Sequence, residues 1–444
     1  MWETLRIAFP VSLTYLGIMT MGLVDLLAVG RVSPEAMGAV GMGTSIFSWV
    51  YVTGIGAFSG LDYYISHSFG AGKRELGAQY FAQALRLCLV LGLPISAVLF
   101  GMSYGFLKLD LDPAMLKEAQ AYFAVLSWSL VPGLMFTISR QYLQAQGVVA
   151  SAVWILVFTN ILNAVLNYTL VFGHWGFPRM SAAGSAWATL ISRVVMMIAM
   201  CAVVFLHDSE TGRHLRVALR RGWDSVQAKA ILKLGGPAAF HFAVEIGAFS
   251  FATQLAAHLG TIPLAAHQIA LNVVSLTFMI PLGVGSAASV LVGAAKGRGD
   301  FALVARRGRE ALILGLGFMF TSALALWFFP GVIVRFYSVD AQVIATGMSV
   351  LSIAALFQLS DGAQVVFSGA LRGLANTKTA ALANLCGHWL VGLPLGMFLC
   401  FKLDYGLRGL WMGLSVGLTF VAVVLGAKWL RSVRALESSN QTVS

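Results

Sequence analysis

Charge is scarce in this sequence: 11% of its 444 residues are charged while 58% are hydrophobic, against ~25% charged in ordinary soluble domains. That balance excludes a soluble globular class and points to a membrane protein. Cysteine is scarce too. Cys88, Cys201, Cys386 and Cys400 all lie within or beside apolar segments, with no CxxC pair, so neither a disulfide framework nor a thiolate metal site is expected. There is no G-x-x-x-x-G-K-[ST] and no connector long enough for a nucleotide-binding domain, which argues against an ATP-driven machine. H-E-x-x-H, G-x-S-x-G and paired-aspartate motifs are missing as well, so the chain is not expected to be an enzyme or to need a cofactor. Nor do repeated filter-like loops of a channel occur.

What the sequence does have is long apolar runs. A helix needs about 20 residues to cross ~30 Å of hydrocarbon, and about twelve such segments can be marked off: 7–30, 38–68, 79–104, 120–145, 148–172, 182–206, 229–257, 263–294, 303–330, 341–371, 379–401 and 407–430. The first is a full span carrying Asp25 and lacks a small-x-small cleavage site, so it reads as a helix and not as a signal peptide. Lys and Arg alternate across the breaks. Arg6, Lys73, Arg74, the 213–233 cluster (Arg213, Arg216, Arg220, Arg221, Lys229, Lys233), Lys296, Arg298, Arg306, Arg307, Arg309, Arg372, Lys378, Lys428, Arg431 and Arg434 outnumber the opposite set of Arg31, Lys108, Lys117, Arg179, Arg335, Lys402 and Arg408. By the positive-inside rule both termini, the 207–228 connector and the 295–302 loop face the cytoplasm. The net charge of +11 is therefore a topology signal, not a nucleic-acid footprint. A multi-pass membrane protein with lipid neighbours follows, in the plasma (inner) membrane if the source is bacterial.

The polar connector falls almost mid-chain, and segments before it recur after it. Residues 33–77 can be laid on 262–300, both ending in a G-A-x-K turn, and 142–189 on 369–414. Six helices repeated in the same orientation give two bundles related by an axis along the membrane normal, with a cleft where a substrate can be held. The expected architecture is an all-α polytopic membrane protein of about 12 transmembrane helices in two pseudo-symmetric six-helix bundles: 1–206, the connector 207–228, and 229–444. Forty-seven glycines and the in-span prolines Pro10, Pro132, Pro237, Pro281 and Pro394 suit close helix approach and kinks. The basic stretch 215–229 reads as an amphipathic connector on the cytoplasmic surface.

A carboxylate in mid-span costs ~2.5–3.5 kcal/mol and ordinarily faces a cavity or a partner. Asp25, Glu245 and Asp361 stand out on this ground, with Asp62 nearer the end of its span. The fifth span offers Asn160, Asn163 and Asn167, the last two on one helical face. Two readings stay open for this ladder: interhelical hydrogen bonding, or a proton- or Na⁺-binding cluster with Asp25. For Glu245 and Asp361 the choice lies between a second cation site and simple pairing with His241, Gln358 or His388. His67, His241, His267 and His388 are either bonded structural residues or pH-responsive ones. Met21, Phe47, Phe278, Met279 and Phe357 are candidates for an adaptable apolar cavity lining.

The stretches VDLLAVGRVSPEAMGAVG (24–41), HSFGAGKRELG (67–77), YLQAQG (142–147), HQIALNVVSLTFMIPLGVGSAASVLVGAAKGRGD (267–300), GALRGLANTKTA (369–380) and GHWLVGLPLG (387–396), in this order and doubled across two halves, resemble the multidrug and toxic compound extrusion (MATE) transporters. The resemblance implies a secondary antiporter exporting amphipathic, cationic compounds against Na⁺ or H⁺ by rocking-bundle alternating access, active as a monomer. It implies a cation site in the first half at Asp25, Asn163 and Asn167, although many prokaryotic members carry an acid where Asn167 stands. It further implies a NorM-like rather than DinF-like chain, because Glu245 and Asp361 match the acids of that branch. Lipid-linked oligosaccharide flippases share the architecture and are the alternative, with Arg86, Arg140 and Arg193 the in-span cations such a groove would use.

Overall fold

Inside hydrocarbon a backbone meets its own hydrogen-bonding needs only as helix or closed barrel, and this chain is helix throughout. The structure, a computed structural model, describes residues 1–211 and 214–441 and the side chains of 1–208 and 214–438; Arg213 of the cytoplasmic cation set lies outside the described residues. In chain order the helices are α1 (Trp2–Gly30), α2 (Pro34–Phe58), α3 (Leu61–Gly70), α4 (Arg74–Phe106), α5 (Pro113–Leu126), α6 (Leu130–Gln144), α7 (Ala150–Leu170), α8 (Ser181–Thr211) and α9 (His214–Arg220). They continue as α10 (Ser225–His258), α11 (Thr261–Gly297), α12 (Phe301–Phe328), α13 (Pro330–Arg335), α14 (Ala341–Gly373), α15 (Lys378–Asn384), α16 (Leu393–Met397) and α17 (Gly406–Gln441). The π-helical stretch Leu385–Gly392 joins α15 to α16, and a second, Phe398–Lys402, continues the same rod beyond α16.

Among the described residues ten helices or joined helices are long and apolar enough to cross a membrane. The other two expected spans are also helical. Segment 38–68 is present as α2 and α3, broken at Ser59–Gly60, and segment 229–257 is α10, whose Lys229, Lys233, His241 and Glu245 dilute its hydropathy. Four acids outside the spans start helices. Asp112 accepts from Met115 N (2.8 Å), Asp300 from Leu303 N (2.8 Å), Asp340 from Gln342 N and Val343 N (2.8 and 2.9 Å), and Asp224 from Val226 N (2.8 Å). A carboxylate there satisfies amides that have no partner in the first turn. Capping thus accounts for these four, whereas Asp25, Glu245 and Asp361 lie inside spans.

The chain divides into two compact units, Thr14–Lys233 and Met1–Leu13 with Leu234–Ser444. The first is built on Phe47, Phe81, Phe123, Phe136 and Ile138, the second on Phe357, Leu351, Leu410 and Trp411. This division differs from the expected one in two respects: the first thirteen residues cluster with the second half, and the stretch up to Lys233 clusters with the first. The cause of the former is polar. Thr4 Oγ1 donates to Glu310 Oε2 (2.8 Å), Glu310 pairs with Arg306 and Arg307 (2.9 and 2.8 Å), Glu3 pairs with Arg307, and Ser12 Oγ donates to Ile280 O (3.0 Å).

Lipid tails are as apolar as leucine, so close packing more than the hydrophobic effect holds such helices together. The clearest instance is a glycine seam between the α15–α16 rod and α17. A Cβ on Gly413 would lie 2.3 Å from Gly396 Cα, and one on Gly417 would lie 2.4 Å from Gly387 O. Backbone meets backbone there, so neither position accepts a side chain. In the other unit the connector is docked rather than loose. Arg86 Nη1 donates to Gly222 O and Nη2 to Leu219 O (both 3.0 Å), and Gln83 Nε2 donates to Gly222 O (2.9 Å). These cations and amides cap the carbonyl end of α9, which buries Leu215 and Ala218 and exposes Arg216 and Arg220.

Candidate functional site

Asp25 sits on α1, 5% exposed, and three donors from two other helices converge on it. Asn163 Nδ2 and Asn167 Nδ2 of α7 donate to Oδ1 at 3.1 and 2.7 Å. Thr189 Oγ1 of α8 donates to Oδ2. The two asparagines are linked in turn, Asn167 Nδ2 to Asn163 Oδ1 at 3.2 Å, as their four-residue spacing allows. Asn160 is not part of this cluster. Its Nδ2 bonds Gly17 O (3.1 Å) and Leu156 O (2.9 Å), because α1 and α7 run side by side in the same sense and Asn160 lies two turns before the level of Asp25. One turn beyond Thr189, Arg193 donates to Ser129 Oγ (2.9 Å) and lies over the rings of Phe47 and Tyr51 (4.9 and 4.5 Å).

Sequence reasoning missed Thr189. A threonine in a span can satisfy its own hydroxyl on the preceding turn, so it reads as neutral; the one signal was Arg193 four residues on. Chemically, three donors suit a charged carboxylate. A half-turn of either asparagine amide replaces a donor with an oxygen, so the same side chains can furnish oxygen ligands to a hard cation.

The second cluster joins α10 and α14. Gln364 Nε2 donates to Glu245 Oε1 at 3.0 Å and to Asp361 Oδ1 at 3.4 Å, and His241 Nε2 stands 3.4 Å from Glu245 Oε2. All four side chains are buried. Two carboxylates flanking one nitrogen repel each other, and a proton or a cation between them relieves the repulsion. Of the partners weighed for these acids, His241 is adjacent. Gln358 is not, being bonded through Nε2 to Thr277 Oγ1 (2.9 Å). Gln364 was not foreseen, although it follows Asp361 by one turn on the same face.

The remaining candidates separate clearly. His267 is a structural histidine, accepting from Trp411 Nε1 at Nδ1 (3.1 Å) with Thr253 Oγ1 at its Nε2 (3.0 Å); His67 lies against the Tyr63 ring. Met21 and Phe47 belong to the core of the first unit and Phe357 to that of the second, between Trp411 and Phe249 (5.7 and 6.2 Å). Phe278 and Met279 are half-buried on α11. Two cavities, of about 570 and 350 Å³, are lined by other residues: Thr346, Ser349, Asp404 and Arg408 in the larger, Gln79, Gln83, Trp223 and Asp224 in the smaller.

The family model described as MatE matches residues 10–169 and again 237–398, once in each half of the internal repeat. The chain is 34% identical over 441 residues to the probable multidrug resistance protein NorM of Mesorhizobium japonicum, covering 97% of this chain and 94% of that one. It is equally 34% identical over 429 residues to the multidrug resistance protein NorM of Burkholderia vietnamiensis, covering 95% and 92%. In three dimensions it superposes on the eukaryotic MATE transporter AtDTX14 with a TM-score of 0.86 at 19% identity, covering 98% of both chains. A MOP superfamily transporter from Pyrococcus furiosus superposes with a TM-score of 0.87 at 20% identity over 98% of this chain and 96% of that one. With the model matched in both halves and near-complete overlap with NorM proteins, the chain belongs to the MatE family, as a NorM-type transporter and not an enzyme.

Proposed function

We propose that this protein is a secondary active multidrug antiporter, exporting amphipathic and cationic compounds in exchange for Na⁺ or H⁺ moving inward. The relatives' multidrug-resistance names support the substrate class. The observation that carries the coupling is Asp25: a carboxylate held inside a span by Asn163, Asn167 and Thr189 costs too much to keep without a use. Glu245 and Asp361, bridged by Gln364, form the second coupling site. Cation and drug bias a single equilibrium between outward- and inward-facing states in opposite directions, and the coupling is reciprocal. Both termini face the cytoplasm by the distribution of Lys and Arg. Since one chain carries both carboxylate sites, the monomer is the working unit.

The flippase reading is not favoured. Arg86, Arg140 and Arg193 spend their guanidinium groups on the connector carbonyls, on Gln144 Oε1 and Tyr15, and on Ser129, Phe47 and Tyr51, instead of standing open to an anionic headgroup.

The test uses purified protein in proteoliposomes loaded with a fluorescent organic cation. Na⁺ jumps and pH jumps are imposed separately, so the effective gradient names the coupling ion. Asp25→Asn is expected to abolish gradient-driven movement while circular dichroism and elution volume stay unchanged. Full activity in that variant refutes the role of Asp25.

A further inference from the structure

Nearly every buried polar group in a folded protein is hydrogen-bonded, and His388 is a conspicuous departure. It is 0% exposed, and neither Nδ1 nor Nε2 has a hydrogen-bond partner among the described residues, although an imidazole carries at least one N–H in every protonation state. Its place in the fold is fixed from three sides. The residue sits in the π-helical stretch Leu385–Gly392, a wide turn that is rare and concentrated at functional sites. The glycine seam presses this stretch against α17. The next residue, Trp389, donates its Nε1 to Val244 O at 3.1 Å, which anchors the stretch to α10 immediately before Glu245. The His388 ring packs 5.9 Å from that of Phe249, one turn beyond Glu245 on the same helix, and the imidazole lies within electrostatic range of both Glu245 and His241.

We propose that His388 is a third arm of the carboxylate site on α10 and α14: a hydrogen-bond partner that Glu245 takes up when its cation departs. The proposal rests on the antiporter reading of that site. The polar groups facing Glu245 are His241 from its own helix, Asp361 and Gln364 from α14, and His388 from the π-helical stretch. When the cation leaves, Glu245 and Asp361 share a single amide nitrogen. His241 Nε2 stands 3.4 Å from Glu245 Oε2 without a hydrogen bond; His388 is the donor from outside α10 whose two nitrogens are both uncommitted, and an N–H turned onto Glu245 stabilises the empty carboxylate. A transporter must release its cation as well as bind it, and a donor that competes with the cation hastens release. His388 is thus a positioning residue that sets cation affinity through Glu245.

The experiment has two arms. In the first, histidine-¹⁵N-labelled protein in nanodiscs is compared with Glu245→Gln, the His388 resonances being assigned from their loss in His388→Asn. Substitution of Glu245 is expected to move the His388 imidazole shifts; unmoved shifts overturn the proposal, whatever the protein transports. In the second, Na⁺- and pH-driven transport is measured for His388→Phe, which keeps the ring against Phe249 but removes both nitrogens, and for His388→Asn, which keeps a donor. His388→Phe is expected to lower the half-saturating cation concentration about tenfold together with turnover, while His388→Asn stays within about threefold of the parent. Parental half-saturation in His388→Phe, or equal damage in both variants, overturns the proposal in favour of packing alone. If the parent shows no cation-driven transport, the antiporter reading fails, and the resonance comparison still decides the His388 contact.

Discussion

Substituting Gly369 by alanine tests how tightly the second unit is built. A Cβ at this position of α14 would lie 2.0 Å from Gly285 O of α11, 2.6 Å from its carbonyl carbon and 2.8 Å from its Cα. All three are backbone atoms, so no side chain can swing aside. Ordinary contact begins near 3.4 Å, and restoring it requires the helices to part by about 1.4 Å. Overpacking of a dense interior costs about 1–3 kcal/mol, and with only backbone to yield the upper end applies. Parting the helices also strains the Arg372 Nε to Ser289 Oγ bond (3.3 Å) one turn away, adding about 1 kcal/mol. A loss of about 4 kcal/mol corresponds to a fall in Tm of roughly 8–16 °C. Thermal unfolding in detergent, followed by tryptophan fluorescence, measures it. The control is Gly317→Ala on α12, where nothing lies within 4 Å of the added carbon, so stability should hold or rise by up to about 1 kcal/mol. Gly369→Ala melting at or above the parent temperature would refute the reasoning.

Thr189→Val removes the hydroxyl that donates to Asp25 Oδ2; since hydrogen bonds to charged groups contribute about 1.5–3 kcal/mol, half-saturation by the coupling cation should shift about tenfold or more, with Thr189→Ser near the parent. An unchanged value would remove Thr189 from the site. Glu310→Gln breaks the pairs with Arg306 and Arg307, and amide exchange over residues 2–13 should then quicken at least tenfold, equivalent to about 1.4 kcal/mol. Arg86→Ala uncaps α9 and should raise exchange in residues 214–222. Glu75→Gln, which removes the charge of an exposed group paired with Arg221 and bonded to Gln79, should change stability by less than about 1 kcal/mol; equal effects of the two variants would deny Arg86 its capping role.

The helices could be read from the sequence because a span in lipid must be long, apolar and internally bonded, and α1 and α4 show that pattern without interruption. The broken α2–α3 segment was harder: Ser59 and Gly60 interrupt a hydrophobic run without any charge to announce it. The carboxylates were legible for the same energetic reason, since Asp25, Glu245 and Asp361 are costly where they stand. Their partners were less so. Asn163 and Asn167 share a helical face, which periodicity reveals, whereas Thr189 and Gln364 meet the acids only through tertiary approach. Asn160 has the same residue type and the same helix but a different level along α1, and composition carries no information about level. The π-helical stretch around His388 was invisible for a related reason. One extra residue in a turn goes with the close approach of Gly387 to Gly417 of α17, and nothing in the local propensities of LCGHWLVG announces it.

The glycine seam between the α15–α16 rod and α17 also bears on how this transporter can change. At Gly413 and Gly417 an added methyl meets main-chain atoms at 2.3–2.5 Å, so nineteen of twenty amino acids are excluded there at once, whatever their polarity. Under selection by a new toxic compound, these positions offer no route to altered specificity, and adaptive substitutions must arise on surfaces where side chains already exist. A deep mutational library selected for drug resistance would show the seam as a silent stripe of glycine crossing an otherwise variable pair of helices.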